Sequence, residues 1–306
     1  MSSPLQQKAL KKVHFLDFII YPSPDIAILV KREVEVTVRS SMTAQFLGAL
    51  PDLLCSLSVK PQHSEHHKVF AIHAQEAELF DPDSDTVFSL TWKSDTIEDI
   101  FVVESQRVES NSLAVAVRTL AGHSSAAALR GQFFEILLSS FCCSNRAELL
   151  TLNEMKKDGK HYVGIDHVVL QARFQRSRPI PFTASEYLHA PVLRLNPDHY
   201  YRGMRNTPVI DAYIYEIVYN NHNPSFVRLF FIQATVSFMK DNSSTKPESM
   251  ALVRKIIASL EKQYSLEVKV HFVLAVPDNV MPKWKLLAEV ETLCNQVNIY
   301  WLCIRT

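Results

Sequence analysis

Residues 208–219, Pro-Val-Ile-Asp-Ala-Tyr-Ile-Tyr-Glu-Ile-Val-Tyr, and residues 225–238, Ser-Phe-Val-Arg-Leu-Phe-Phe-Ile-Gln-Ala-Thr-Val-Ser-Phe, decide the fold. Both runs are rich in β-branched and aromatic side chains, and the link between them, Asn220-Asn-His-Asn-Pro224, consists of turn formers. Two strand-like runs joined by so short a polar link read as a hairpin. Each run has a polar residue flanked on both sides by apolar ones, Asp211 between Ile210 and Ala212 in the first and Gln233 between Ile232 and Ala234 in the second. A third such residue is Glu135, in Gly131-Gln-Phe-Phe-Glu-Ile-Leu-Leu. Burying a lone carboxylate or amide costs several kcal/mol unless something pairs with it, so these three positions are candidates for function.

Working outward from the hairpin, the chain on its N-terminal side contains a helix over 124–143, where Phe133, Phe134, Leu137, Leu138 and Phe141 recur at helical spacing. A strand or hairpin follows over 150–175, and then a proline-rich passage from Arg178 to Asn206 with little periodicity, which reads as a surface wrap or a functional segment. On the C-terminal side, Asp241-Asn-Ser-Ser-Thr caps a helix from Pro247 to Tyr264 with Met250, Val253, Ile256, Ile257 and Leu260 on one face. Leu266 to Pro277 alternates, with Leu266, Val268, Val270, Phe272, Leu274 and Val276 on one side. A last helix over 282–294 and a closing strand over 297–304 complete an α-β-β-β-α-β-α-β order. The expected class is α/β (α+β): a mixed central sheet with flanking helices over residues 123–306, preceded by a smaller β-rich region over 1–122.

In that first region, strands are expected at Val13–Tyr21, Val34–Val38, Val69–Ala74, Thr86–Trp92 and Asp99–Val103, with a short apolar helix at Thr43–Leu50. The His-rich piece Gln62-His-Ser-Glu-His-His-Lys reads as a solvated loop rather than a metal site, because no regular element holds its imidazoles. Asp81, Asp83 and Asp85 have the spacing that opens a calcium loop but lack its glycine and distal glutamate, so they read as a turn.

Composition narrows the function. Lys plus Arg and Asp plus Glu each number 32 in 306 residues, so there is no overall basic footprint and any nucleic-acid contact has to come from a local patch. Only 6 glycines occur and neither phosphate-binding glycine motif is found, which excludes nucleotide binding by those devices. The 5 cysteines are odd in number and lack C-x-x-C spacing, as reduced thiols of an intracellular protein do. No uncharged stretch reaches the roughly 18 residues needed to span a bilayer, and Met1-Ser-Ser-Pro-Leu-Gln-Gln-Lys has no secretory apolar core. A nuclear or cytoplasmic location is expected, with an organellar presequence left open.

Glu135, Asp211 and Gln233 can be read together. Phosphodiester cleavage uses a hard divalent cation held by oxygen ligands, and strand alternation places Gln233 and Thr235 on one face while the hairpin brings Asp211 towards them. The text Arg130-Gly-Gln-Phe-Phe-Glu, Ile210-Asp-Ala-Tyr-Ile-Tyr-Glu, Leu229-Phe-Phe-Ile-Gln-Ala-Thr-Val-Ser and Val273-Leu-Ala-Val-Pro-Asp resembles the restriction-endonuclease-like, PD-(D/E)xK module at the C-terminus of retrotransposon hot spot and Crinkler proteins. The resemblance extends over 124–306, leaving 1–122 as a remnant or an accessory domain. It implies a Mg2+-dependent nuclease with Asp211, Gln233 and Glu135 as metal ligands and Thr235 at the position of the family's catalytic lysine. It also implies DNA or RNA as a partner, or protein partners in a larger assembly, and no membrane. Two departures stand out: Thr235 replaces a lysine and Gln233 replaces a carboxylate. Loss of a preorganised cation costs on the order of 100-fold in rate, so the resemblance implies a degenerate nuclease acting as a nucleic-acid-associated or protein-interacting factor, with an active deoxyribonuclease or a purely structural subunit as the alternatives. Trp284, between Lys283 and Lys285, reads as an aromatic anchor, and Arg254, Lys255 and Lys262 as the wet face of their helix.

Overall fold

A computed structural model describes residues 110–122, 126–143, 150–172, 174, 176–203, 210–237, 239–241, 247–277, 281–285, 298–304 and 306. It also describes the segments 70–74 and 88–92 and the single residues Arg32, Glu35, Val36, Ile97 and Ile100. The chain divides into two compact units, Met1–Ile136 and Leu137–Thr306.

In the first unit, β1 (Phe70–Ala74) and β2 (Phe88–Trp92) pair antiparallel, from Phe70 opposite Trp92 to Ala74 opposite Phe88, where the sequence places two strands. Helix α1 (Ser110–Thr119) buries Leu113, Ala116 and Val117, the three-and-four spacing of one helical face. Helix α2 (Ala127–Cys143) follows, and the division between the units falls within it. Leu129, Phe133, Phe134 and Ile136 of α2 are fully buried, and Arg130 donates its Nε–H to the Val117 carbonyl at 3.0 Å. At the few described positions of two expected strands, 34–38 and 99–103, and next to the second, the structure is helical. Glu35 and Val36 are helical, and so are Ile97 and Ile100. Ile97 and Ile100 are both buried and three residues apart, the spacing of one helical face; over four or five residues alternation alone does not separate strand from helix. The stretches 13–21, 43–50, 62–68 and 81–85 lie outside the described residues.

The second unit is built on a ten-stranded mixed sheet. Its elements are β3 (Leu150–Asp158), β4 (His161–Ala172), β5 (Arg178–Phe182), α3 (Ala184–His189), β6 (His199–Gly203), β7 (Ala212–Asn220), β8 (Asn223–Ala234), β9 (Met239–Asp241), α4 (Pro247–Tyr264), β10 (Val268–Pro277), β11 (Lys283–Lys285) and β12 (Asn298–Ile304). The strand order is β5-β6-β7-β8-β10-β12-β3-β4-β11-β9. The expected hairpin is β7–β8, antiparallel from Ala212 opposite Ile232 to Asn220 opposite Asn223, with Asn221 and His222 at positive φ in the two-residue turn. Strand β10 then pairs parallel to β8, which requires a crossover, and α4 supplies it.

Parallel pairing on both sides, with β8 and with β12, explains why every residue of β10 from His271 to Pro277 is buried, where alternation predicts only one apolar side. Phe272, Leu274 and Val276 pack with Leu229 and Phe231 of β8, Tyr213 and Tyr215 of β7, and Met250, Val253, Ile256 and Leu260 of α4. His271, Val273 and Ala275 point to the other face and are buried there.

The proline-rich passage is more ordered than its sequence suggests. It contributes two strands and a helix: β5 pairs parallel with β6, and α3 opens on a capping box in which the Thr183 hydroxyl accepts from Glu186 N–H while Glu186 Oε2 accepts from Thr183 N–H. The prolines, Pro179 and Pro181, fall at alternate positions of an edge strand, where a missing donor leaves one side of the strand unable to pair further. The other difference is β11. Residues 283–285 form a strand against β4 and β9, where the sequence places the start of a helix, and Trp284 is fully buried with its ring 6.4 Å from that of Phe272. Its indole ties this short strand, one in from the sheet edge, to the core, which supports the anchor reading over a nucleic-acid contact. Among the described residues no helix is long and apolar enough to cross a membrane.

Gly164 in β4 locks this edge. Its N–H donates to the Pro282 carbonyl at 3.0 Å, and a Cβ at this position would meet Pro282 Cδ and Trp301 Nε1 at 3.0 Å each. Trp301 has little freedom to yield, because its Nε1–H donates to the Ile165 carbonyl. Gly164→Ala is therefore expected to destabilise the protein by about 1–3 kcal/mol, measured by denaturant unfolding.

Candidate functional site

Asp211 lies one residue before β7, and three main strands meet on it. Its N–H donates to the Ile232 carbonyl at 3.0 Å, its carbonyl accepts from Gly203 N–H at 2.8 Å, and its carboxylate Oδ2 accepts from Ala234 N–H at 2.7 Å. The regular ladder stops at Ala212 opposite Ile232, and the side chain of Asp211 continues it by taking the place of a main-chain acceptor. Gln233 stands beside this bond in β8, opposite Leu274 of β10, and only 5% of it is exposed. Tyr213 with Phe231 and Tyr215 with Leu229 form facing pairs on the α4 side, and the two-residue period assigns Asp211 and Gln233 to that same side.

Thr235 extends the β8 line by one further bond, from its N–H to the Ala275 carbonyl at 3.0 Å, and is buried. Its hydroxyl accepts from Ser237 N–H at 3.2 Å, a turn made by the side chain itself. The structure thus brings Asp211, Gln233 and Thr235 together at the C-terminal end of β8. Glu135 is half-buried on α2, in the first unit.

Among the described residues, the donor set at this end of β8 is a sparse one for a magnesium ion. A hard divalent cation in a nuclease site draws on several oxygen ligands with at least two carboxylates to balance its charge. Among the described residues here one carboxylate is present, with one oxygen engaged by a main-chain N–H, beside a neutral amide and a hydroxyl that accepts from its own turn. Among the described residues no group of three or more His, Cys, Asp or Glu side chains comes together.

One further buried polar residue carries the same sequence signal as the three and was not picked out by it. His271 interrupts the apolar run Val268-Lys-Val-His-Phe-Val-Leu-Ala-Val, is 6% exposed, and lies between the rings of Phe230 at 5.1 Å and Tyr300 at 5.8 Å. Neither ring nitrogen has a hydrogen-bond partner among the described residues. Burial, with the positive charges of Arg228 and Lys269 nearby, pushes its pKa down to about 4. It is a neutral aromatic spacer at neutral pH. Arg176 behaves differently: it is buried, donates from its NH2 group to the Tyr215 carbonyl at 3.2 Å, and is lowered from its usual range mainly by that burial. Cys142, Cys143 and Cys303 are free thiols. Burial raises the pKa of Cys142 strongly and that of Cys143 to about 12, which leaves both as unreactive thiols.

Compared with known proteins, the chain matches no family model, no curated protein and no solved structure.

Two outcomes follow from these contacts. Asp211→Ala leaves the Ala234 N–H without its acceptor and is expected to cost about 1–3 kcal/mol, whereas Asp211→Asn keeps an acceptor oxygen and is expected to cost well under half of that; paired denaturant melts measure the difference. For His271, the unfolded chain binds a proton near pH 6.5 and the folded one only near pH 4, so stability is full above about 6.5 and falls as the pH drops towards 4. The loss reaches about 3 kcal/mol at most. His271→Phe, which keeps the ring stack and removes both unpartnered nitrogens, is expected to flatten that part of the stability–pH curve and raise the melting temperature at pH 5.

Proposed function

We propose that residues 123–306 form a restriction-endonuclease-like domain, of the kind that resembles the C-terminal module of retrotransposon hot spot and Crinkler proteins, in which nuclease chemistry has been lost. The chain then works as a nucleic-acid-associated or protein-interacting factor inside the cell. Support comes from the order of elements around the hairpin: Asp at the mouth of β7, Gln on β8, and a crossover helix leading to a parallel strand.

The observation that carries the loss of activity is the 2.7 Å bond from Ala234 N–H to the Asp211 carboxylate. In a working site that carboxylate holds the metal; here it completes a β-ladder. Thr235 adds to this, because a hydroxyl folded back on Ser237 N–H cannot replace the lysine that stabilises charge on the transferring phosphate. The neutral amide of Gln233 and the chain's lack of net positive charge fit a site under no demand to bind a metal–phosphate complex.

Supercoiled plasmid incubated with the purified chain in Mg2+ or Mn2+ is expected to be nicked no faster than in EDTA. Metal-dependent cleavage that disappears in Asp211→Asn, a variant that retains an acceptor for Ala234, would overturn the proposal in favour of a magnesium-dependent deoxyribonuclease using Glu135, Asp211 and Gln233.

A further inference from the structure

The segment joining α3 to β6 is extended and has no strand partner among the described residues. Leu193 and Leu195 are buried in the core while Val192, 57% exposed, and Arg194 stand out to solvent, the two-residue period of a β-strand. It is held to α4 at both ends. Lys255 Nζ donates to the Ala190 carbonyl at 2.8 Å, and the Gln263 amide makes a two-way bridge to Leu195, accepting from its N–H at 3.0 Å and donating to its carbonyl at 2.7 Å. Between these clamps the main chain of residues 192–194 makes no hydrogen bond to any described residue.

A groove of about 570 Å3 opens between this segment and the exposed side of α4. Its walls are apolar at Pro191, Val192, Leu193 and Ala258. Its rim carries three cations, Arg194, Lys255 and Lys262, and among the described residues lining it none is acidic. Arg194 and Lys262 are exposed and have no carboxylate partner among the described residues. The groove lies towards the C-terminal end of α4, which leads through 265–267 to Val268 opposite Val227, so it is at the far end of β8 from Gln233.

We propose that this groove binds an extended peptide segment of a partner protein in which acidic and aliphatic side chains alternate. The unpaired main chain of residues 192–194 supplies strand-addition hydrogen bonds, the apolar walls take the aliphatic side chains, and the rim cations take the carboxylates. A strand edge left open, with its side chains already set in a β-period and its ends clamped, requires little ordering on binding. The proposal does not depend on the fate of the nuclease chemistry, since the two surfaces share no residue.

The test is a selection of a random dodecapeptide phage library on the full chain, followed by fluorescence anisotropy with a synthetic copy of the most enriched peptide. Enriched sequences are expected to alternate Asp or Glu with Val, Ile or Leu. The synthetic peptide is expected to bind the double variant Arg194→Glu/Lys262→Glu at least tenfold more weakly, and Ala258→Trp, which fills the groove without changing its charge, weakly to the same degree. The altered side chains are exposed, and circular dichroism checks that each variant keeps its fold; if the double variant does not fold, Ala258→Trp decides. No enrichment, enriched peptides without an acidic excess, unchanged affinity in a folded variant, or displacement of the peptide by an oligothymidylate at equal concentration would each overturn the proposal, the last by making the surface a nucleic-acid site.

Discussion

The parallel pairing of β10 between β8 and β12 is the constraint on which the second unit depends. A parallel neighbour cannot be reached by a tight turn, so the chain must leave the sheet after β8 and return, and the crossover has to bury its own apolar face on the sheet it spans. Helix α4 does this with Met250, Val253, Ile256 and Leu260 over Leu229, Phe231, Phe272 and Leu274. Each fully buried aliphatic or aromatic side chain in that layer contributes about 1.5–3 kcal/mol. The same interface fixes the outer surface of α4, and with it the positions of Lys255 and Gln263 that clamp the segment 190–195.

Asp211 shows how a residue type suited to chemistry can serve a different end. A carboxylate at the mouth of a strand is a metal ligand if its oxygens face an open cleft and a structural acceptor if a main-chain N–H reaches it first. The distance of 2.7 Å to Ala234 N–H, together with the bonds from its own main chain to Ile232 and Gly203, makes Asp211 the junction of β6, β7 and β8. Sequence alone distinguishes these roles poorly, because both call for one polar residue in an apolar run. His271 makes the same point from the other side: it too interrupts an apolar run, yet among the described residues it has no polar partner, and it is buried from solvent. At Asp211 backbone pairing sets the requirement, and at His271 aromatic stacking does.

The sequence by itself determined the elements whose signal is local. The β7–β8 hairpin follows from two β-rich runs around a turn, α4 from a five-residue apolar face, and α2 from apolar residues at helical spacing; each depends on side chains close together in the chain. What only the tertiary structure decided is everything set by neighbours distant in sequence. Residues 178–203 look structureless because their strands are short, proline-bearing and far from their partners, yet β5, α3 and β6 close one side of the sheet. Lys283–Lys285 is a strand because β4 and β9 flank it and Trp284 has a core to enter, neither of which is visible in a helical-looking run after a proline. The identities of Asp211, Gln233 and Thr235 were legible as candidates, but which hydrogen bond each makes depends on strand register, and register is fixed by packing across the whole sheet.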